Sequence, residues 1–269
     1  MQIISVVRDF NMYNQLVKDN PFYPIDTNFI CFNNNDENLT IPIRYNSFLE
    51  SYDYSNEDWF IFCHEDWELK EDLEKRLNKL DKNSLYGVIG TSLNWNGYSD
   101  YICGEIENSN KDGSGLIKLG IYKDNFIEVG TFDCQCIIMH SSLIKKYNLR
   151  FDENLTWDLY VEDFCISARE NHNIPSKILQ LKCQHYSFGN IAERFHTQYA
   201  YLQKKYKNAK NAYTSTCSNK IIGKQNLLFY FNKSMYNLLK FFYQKKITKS
   251  GTLLIKICKI PVYRGKGKE

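Results

Sequence analysis

Short apolar, β-branched and aromatic runs alternate with longer segments of mixed polarity over the first 190 or so positions, and these two periods set the expected elements. Residues 3–7, 28–32 and 59–64 are apolar enough throughout to be buried strands. Between them, 11–18 and 45–52 read as helices. Residues 68–80 place Leu69, Leu73, Leu77 and Leu80 at helical spacing and are expected as one helix. A further buried strand is expected over 86–89, its core bracketed by Gly87 and Gly90. The pattern loosens over 94–128, where Gly97, Gly104, Gly113, Gly115 and Gly120 lie in mostly polar sequence, so a long excursion with a hairpin over one face of the sheet is expected. Residues 134–139 and 178–183 complete the strands, and 142–147 and 161–171 the helices. This alternation predicts an α/β fold with a mostly parallel central sheet flanked by helices.

Beyond residue 200 the pattern changes. In a helix over 226–243, Leu228, Phe231, Met235, Leu238, Leu239 and Phe242 fall on one face, with Asn226, Lys233, Asn237 and Lys240 opposite. Charge changes in the same region. From Lys204 onward 16 basic residues face one acid, Glu269, whereas residues 1–203 hold 18 basic and 30 acidic residues, so the overall +3 conceals a net −12 followed by a net +15. Two domains are therefore expected: an α/β domain over 1–200 and a basic, partly amphipathic helical extension over 201–269. The extension has two readings. Its helix packs on the first domain with lysines in solvent, or it lies on an anionic membrane surface, helped by Lys245, Lys246, Lys249, Lys256, Lys259 and Arg264. No nucleic-acid-binding motif accompanies the charge, so no nucleic-acid partner is expected.

Composition narrows the compartment. With 43% hydrophobic and 24% charged residues, the 269-residue chain has the makeup of an ordinary globular protein. The nine cysteines form no C-x-x-C pair, and Cys31, Cys63, Cys136, Cys165 and Cys183 lie in apolar runs, as reduced and buried thiols do. Cys134, Cys136 and His140 lack the spacing of a closed zinc site. No signal peptide is read at the N-terminus, and no run reaches the roughly 18 apolar residues of a membrane span. A cytoplasmic protein, peripheral on the inner face of the cytoplasmic membrane in the second reading of the extension, is expected.

Three polar clusters carry candidate chemistry. His64-Glu65-Asp66 ends a buried strand, the edge at which open α/β sheets bind ligands, and an imidazole with a carboxylate there can hold a divalent cation against a diphosphate. Its bland alternative is a polar start to the next element. Glu162-Asp163 offers a general base toward a hydroxyl, or merely an acidic helix start. His185 ends the last strand, as a ligand or as a satisfied polar residue.

Taken in order, these pieces resemble the family 2 type of glycosyltransferases with the GT-A (nucleotide-diphospho-sugar transferase) fold, in the bacterial branch with His-x-Asp in place of D-x-D. The matching segments are Ile4 to Asp9, Tyr45-Asn46, Phe62 to Asp66, Gly87 to Gly90, Phe132-Asp133, Phe151 to Glu153, Tyr160 to Cys165 and His185 to Gly189, over roughly residues 1–190. The resemblance implies that Asp66 and His185, with His64, hold Mn²⁺ or Mg²⁺ on the donor diphosphate. It implies that Asp163 activates the acceptor hydroxyl, with Glu162 as the less favoured substitute. Arg8, Asp9, Asn33, Asn34, Asn46, Glu65 and Asp133 would hold the donor or lie near its sugar. The implied reaction is inverting transfer from a nucleotide-sugar donor, a UDP-sugar first, to a hydroxyl of a glycan or lipid-linked acceptor in bacterial surface polysaccharide or lipooligosaccharide synthesis. His64 departs from the standard acid, which makes the strength of metal binding the point to test. Two rivals are a nucleotidyltransferase, for which residues 7–11 lack a Gly-rich phosphate loop, and a catalytically silent glycan- or membrane-binding protein.

Overall fold

In the computed structural model, which describes residues 1–97, 101–120, 125–188, 191–225, 227–247, 252–258 and 260–266, the first apolar run forms β1 (Gln2–Val7). β1 is followed by α1 (Phe10–Tyr13) and a π-helical turn (Asn14–Lys18) that continues it, then by β2 (Asn28–Asn33), which pairs with β1 in parallel. Next come α2 (Ile41–Ser51) and β3 (Trp59–Cys63), which pairs in parallel with the other edge of β1. α2 starts earlier than residue 45 because Pro42 sits in its first turn, where the missing N–H costs nothing.

The expected helix over 68–80 is a correction. The chain forms β4 (Trp67–Leu69) and then a single turn, α3 (Glu74–Leu77). Leu69, Leu73 and Leu77 are buried as their spacing implied, but Trp67 and Leu69 are buried as alternate residues of a strand. One expected strand divides at Val88 into β5 (Leu85–Gly87) and β6 (Ile89–Thr91). The excursion contains β7 (Ile102–Gly104), β8 (Ile106–Asn108) and β9 (Ile117–Leu119), of which β8 and β9 form the hairpin. After β10 (Glu128–Val129), β11 (Thr131–Phe132) and β12 (Cys136–His140) come α4 (Ser141–Tyr147) and α5 (Tyr160–His172). The strand expected over 178–183 also divides, into β13 (Ser176–Ile178) and β14 (Cys183–His185). α6 (Glu193–Lys205) and the hairpin β15 (Ala212–Ser215) and β16 (Ser218–Gly223) follow.

The architecture is mixed α/β, with a seven-stranded sheet in the order β10-β13-β5-β12-β3-β1-β2 and helices flanking it. Five strands run one way, and β12 and β10 run against them, so the sheet is mostly parallel as expected. Smaller sheets have the orders β11-β6-β7 and β4-β14-β8-β9. Phe60 and Phe62 of β3 enter one apolar cluster, and Ile61 and Cys63 enter the other. Burial on both faces is why this strand reads as a continuous apolar run. Cys63, Cys136, Cys165 and Cys183 are buried free thiols, whereas Cys31, on the edge strand β2, is exposed, a correction to its expected burial.

Two compact units emerge, one of Met1–Asn94 with Ile102–Lys224, the other of Trp95–Tyr101 with Gln225–Glu269. α6 and the β15–β16 hairpin thus join the first unit, past the boundary expected at residue 200. Buried hydroxyls fasten the hairpin: Thr91 and Thr131 both donate to the Thr214 carbonyl, at 3.0 and 2.6 Å. In the second unit, α7 (Leu227–Phe242) is the expected helix, but it is followed by an antiparallel sheet of β17 (Tyr243–Ile247), β18 (Thr252–Ile257) and β19 (Ile260–Lys266) that a helical extension did not include. The side chains of Leu228, Lys233, Asn237 and Lys240, and all of Asn226, lie outside the described residues. Among described residues no helix is long and apolar enough to cross a membrane.

Gly104 holds the turn from β7 into β8 at φ +83°, and a Cβ there would collide with the Val88 carbonyl oxygen, a backbone atom that cannot rotate away. Gly104→Ala is expected to cost about 2 kcal/mol or more in urea unfolding; wild-type stability would contradict this close approach.

Candidate functional site

β3 delivers His64, Glu65 and Asp66 to the carboxyl edge of the main sheet. The strand does not continue through them. The His64 N–H donates to the Gln135 carbonyl at 3.0 Å, and the Trp67 N–H returns to the His64 carbonyl at 3.3 Å, closing a turn. β4 then pairs antiparallel with β14, setting Trp67 opposite His185, and the Tyr186 N–H donates to the Asp66 carbonyl at 2.9 Å. Two strands from distant parts of the chain thereby bring His185 against Asp66. His185 Nε2 lies 3.3 Å and His64 Nδ1 3.8 Å from Asp66 Oδ1. One ligand atom from each of the three residues lies within 4.8 Å of the others, a group able to hold a metal ion.

Asp66 and His64 are held in the states that ligate a metal, whereas the proton that His185 binds more tightly must leave before that nitrogen can do so. Burial opposes charge on Asp66, but the His185 hydrogen bond and the two imidazoles outweigh it and hold the carboxyl at about 2. Burial lowers the pKa of His64, which leaves it neutral and able to coordinate. For His185, burial acts downward, but Asp66 prevails and raises it. Tyr160 fixes the tautomer of His64. Its hydroxyl donates to the Cys134 carbonyl at 2.9 Å, which can only accept. The same oxygen, 2.8 Å from His64 Nε2, therefore accepts a proton from that nitrogen, leaving the Nδ1 lone pair aimed toward Asp66. An imidazole oriented in this way offers a cation one neutral donor atom, where a carboxylate would bring a negative charge.

A cavity of about 240 Å³ opens beside this group, lined by Arg8, Tyr45, His64, Glu65, Asp66 and Trp157 among others. The Arg8 guanidinium sits 4.5 Å from the centre of the Trp157 ring and donates to Asn38. Glu65 turns to the end of β1, accepting from the Arg8 and Asp9 N–H groups at 2.5 and 3.0 Å. Asp9 accepts from the Met12 N–H and caps α1. Asn33 and Asn34 shape the loop after β2: Asn33 accepts from the Asn35 N–H at 3.0 Å, and buried Asn34 donates to the Leu39 carbonyl at 2.9 Å. Asn46 is occupied by the Phe151 backbone and Glu153, at 2.9 Å each, so it braces α2 instead of lining the cavity. A larger cavity, about 370 Å³, lies elsewhere, beside Lys70, Arg76, Glu105, Glu107 and Lys118. Its charges pair with one another, as Lys118 does with Glu105 at 3.0 Å, and the smaller cavity has the chemistry.

The two acids that begin α5 meet different surroundings. Asp163 is buried and accepts from Lys205 Nζ at 2.7 Å and the Tyr206 hydroxyl at 2.8 Å; burial raises its pKa while Lys205 pulls it down. Glu162, 3% exposed, accepts from Cys134 Sγ at 3.0 Å and Ser215 Oγ at 2.8 Å and has no cationic partner among the described residues. Burial, then the charge of Asp133, lifts its pKa from 4.5 to about 7. Asp133 also acts on His64 and His185, which puts it in electrostatic reach of both the histidine group and Glu162, and Thr216 donates to it. Sequence reasoning missed Tyr160, Trp157, Ser215 and Thr216. Trp157 and Tyr160 flank the acidic cluster and carried a local signal, whereas Ser215 and Thr216 reach the site only through the fold of the hairpin.

Two expectations follow. Glu162 binds its proton more tightly when folded, so its contribution to stability is complete below pH about 4.5 and is lost as pH rises through about 7. Glu162→Gln should exceed the wild type at pH 8 by up to about 3 kcal/mol and match it near pH 4 in thermal unfolding; a pH-independent difference would contradict the raised pKa. Tyr160→Phe should weaken Mn²⁺ binding about tenfold, read from free Mn²⁺ by electron paramagnetic resonance, with the fold intact. Unchanged affinity would remove Tyr160 from orienting His64.

No family model and no curated protein matches this chain. Among solved structures it is similar to GalNAc-T7 crystallised with UDP, GalNAc and Mn²⁺, at 8% identity, covering 71% of this chain and 44% of that one with a TM-score of 0.45. Residues 1–349 of S. aureus TarS match at 13% identity over 78% of this chain and 66% of that one, with a TM-score of 0.48. A197 from STIV matches at 13% identity over 84% and 95%, with a TM-score of 0.35. The chain thus spans less than two thirds of the GalNAc-T7 and TarS chains it matches, and all three likenesses are distant.

Proposed function

We propose that the protein is a GT-A-type glycosyltransferase that moves a sugar from a nucleotide-sugar donor, a UDP-sugar, to a hydroxyl of a glycan or lipid-linked acceptor. The carrying observation is the His64, Asp66 and His185 group at the carboxyl edge of β3, opening on a cavity that contains the Arg8–Trp157 pair. A cavity of this kind suits a flat base and a diphosphate. The Trp157 face and the Arg8 cation offer stacking and charge, and the ion-binding group sits beside them. Two imidazole nitrogens and one carboxylate suit Mn²⁺ better than Mg²⁺, which prefers oxygen. When bound, the ion neutralises the charge that builds on the departing diphosphate.

In this reading Glu162, and not its neighbour Asp163, is the general base. A carboxylate with a pKa of about 7 and no cation beside it among the described residues accepts a proton from an acceptor hydroxyl more readily than one held by Lys205. The hydroxyl oxygen, relieved of its proton by Glu162, attacks the anomeric carbon. The bond from that carbon to the diphosphate oxygen breaks, its electron pair leaves with the nucleoside diphosphate, and the configuration inverts. Asp133, in electrostatic reach of Glu162 and of both histidines, would order the sugar or the acceptor, and Ser215 would hold Glu162 in place. Lys205 and Tyr206 give Asp163 a bracing role between α5 and α6. Synthesis of bacterial surface polysaccharide or lipooligosaccharide, at the cytoplasmic face of the membrane, is the setting that suits such an acceptor.

A panel of nucleotide sugars incubated with the protein and Mn²⁺ tests the reading, because slow release of nucleoside diphosphate is expected from one donor class. Glu162→Gln should lower transfer with that donor by about a hundredfold or more without loss of stability. Asp163→Asn should instead lower the melting temperature, because Lys205 loses its buried partner, while a larger share of transfer survives. The opposite pattern would return the base role to Asp163, and no release from any donor would favour a silent binding protein.

A further inference from the structure

The second unit presents an apolar face to water. Along α7, Phe231, Met235, Leu238, Leu239 and Phe242 recur at helical spacing within about 100° of arc. All five are exposed, Phe231 by 62% and Phe242 by 52%. Ile257, Ile260 and Val262, at the end of β18 and in β19, are exposed as well. A cationic surplus accompanies them: residues 225–269 contain ten lysines and arginines and one acid, Glu269, a net +9.

Those two properties together select an occupant. A nucleic acid would satisfy the charge and leave the aromatic and aliphatic side chains in water. A second copy of the chain would cover the apolar face but press two units of net +9 together. An anionic bilayer surface satisfies both at once, since it accepts an apolar helix face at the acyl boundary and draws lysines to its phosphates. α7, with 16 residues, is too short to cross the bilayer and long enough to lie along it. We propose that the second unit docks this protein on anionic membrane surfaces through the Phe231, Leu238 and Phe242 face of α7. Docking does not depend on the glycosyl-transfer reading, and its test does not use activity.

The full chain is sedimented with phosphatidylcholine vesicles, with and without phosphatidylglycerol, at low and high salt. Binding should be at least about tenfold stronger to the anionic vesicles and should weaken in high salt. Combined Phe231→Ser, Leu238→Ser and Phe242→Ser should reduce it by about tenfold or more with no change in melting temperature, because these side chains are already exposed. Lys245→Gln with Lys246→Gln should weaken anionic binding while leaving the residual binding to neutral vesicles unchanged. Absence of binding, equal binding to both lipids, or binding untouched by the serine variant would overturn the proposal. So would a dimer in sedimentation equilibrium that the serine variant dissolves, which would assign the face to a second copy.

Discussion

Asp66 stays ionised where burial disfavours charge, and the site depends on the contact that makes this possible. His185 hydrogen-bonds the carboxylate, and His64 Nδ1 approaches the same oxygen at 3.8 Å. Neither histidine could do so without the turn after β3, because that turn sends the chain back as β4 to pair with β14. The pairing is therefore more than edge decoration. It converts two polar strand ends, each unremarkable alone, into one group of three ligand atoms. Tyr160 completes the arrangement from α5 by fixing which nitrogen of His64 carries the proton.

α5 also sorts the two acids at its start. Adjacent residues of a helix point about 100° apart, so Glu162 and Asp163 cannot share an environment. Asp163 turns to α6 and meets Lys205 and Tyr206; Glu162 turns to Cys134 and to Ser215 of the β15–β16 hairpin, and burial with the nearby charge of Asp133 raises its pKa. One carboxylate is thus bound into structure, and its neighbour remains capable of taking a proton near neutral pH. The hairpin that supplies Ser215 to Glu162 lies beyond residue 200, in the first unit, held by Thr214.

Much of this was legible in the sequence, and the failures have physical causes. Strands buried on both faces announce themselves as continuous apolar runs, so β1 and β3 were read within a residue. The leucines at 69, 73 and 77 met the helical period, but strand pairing with β14 overrode it for the first of them. The divisions at Val88 and after Ile178 were hidden because both halves are buried, and only the tertiary fold decides where a chain leaves one sheet for another. His64, Asp66 and His185 stood out as polar residues at strand ends, but only the family resemblance implied that they act as one group. The orientation of His64 could not be read, because Tyr160 meets it through packing. Nor could the partner of Asp163, because Lys205 lay in a stretch whose basic character drew attention to membranes and away from the core.

The most direct test of the donor site is a crystal structure of the protein with UDP and Mn²⁺, with anomalous scattering used to locate the manganese. An anomalous peak bounded by Asp66 Oδ1, His185 Nε2 and His64 Nδ1, with the diphosphate on its open side and the base beside Arg8 and Trp157, is the result this account predicts. A manganese peak away from these three atoms, or a nucleotide bound outside the β1–β3 edge, would contradict it.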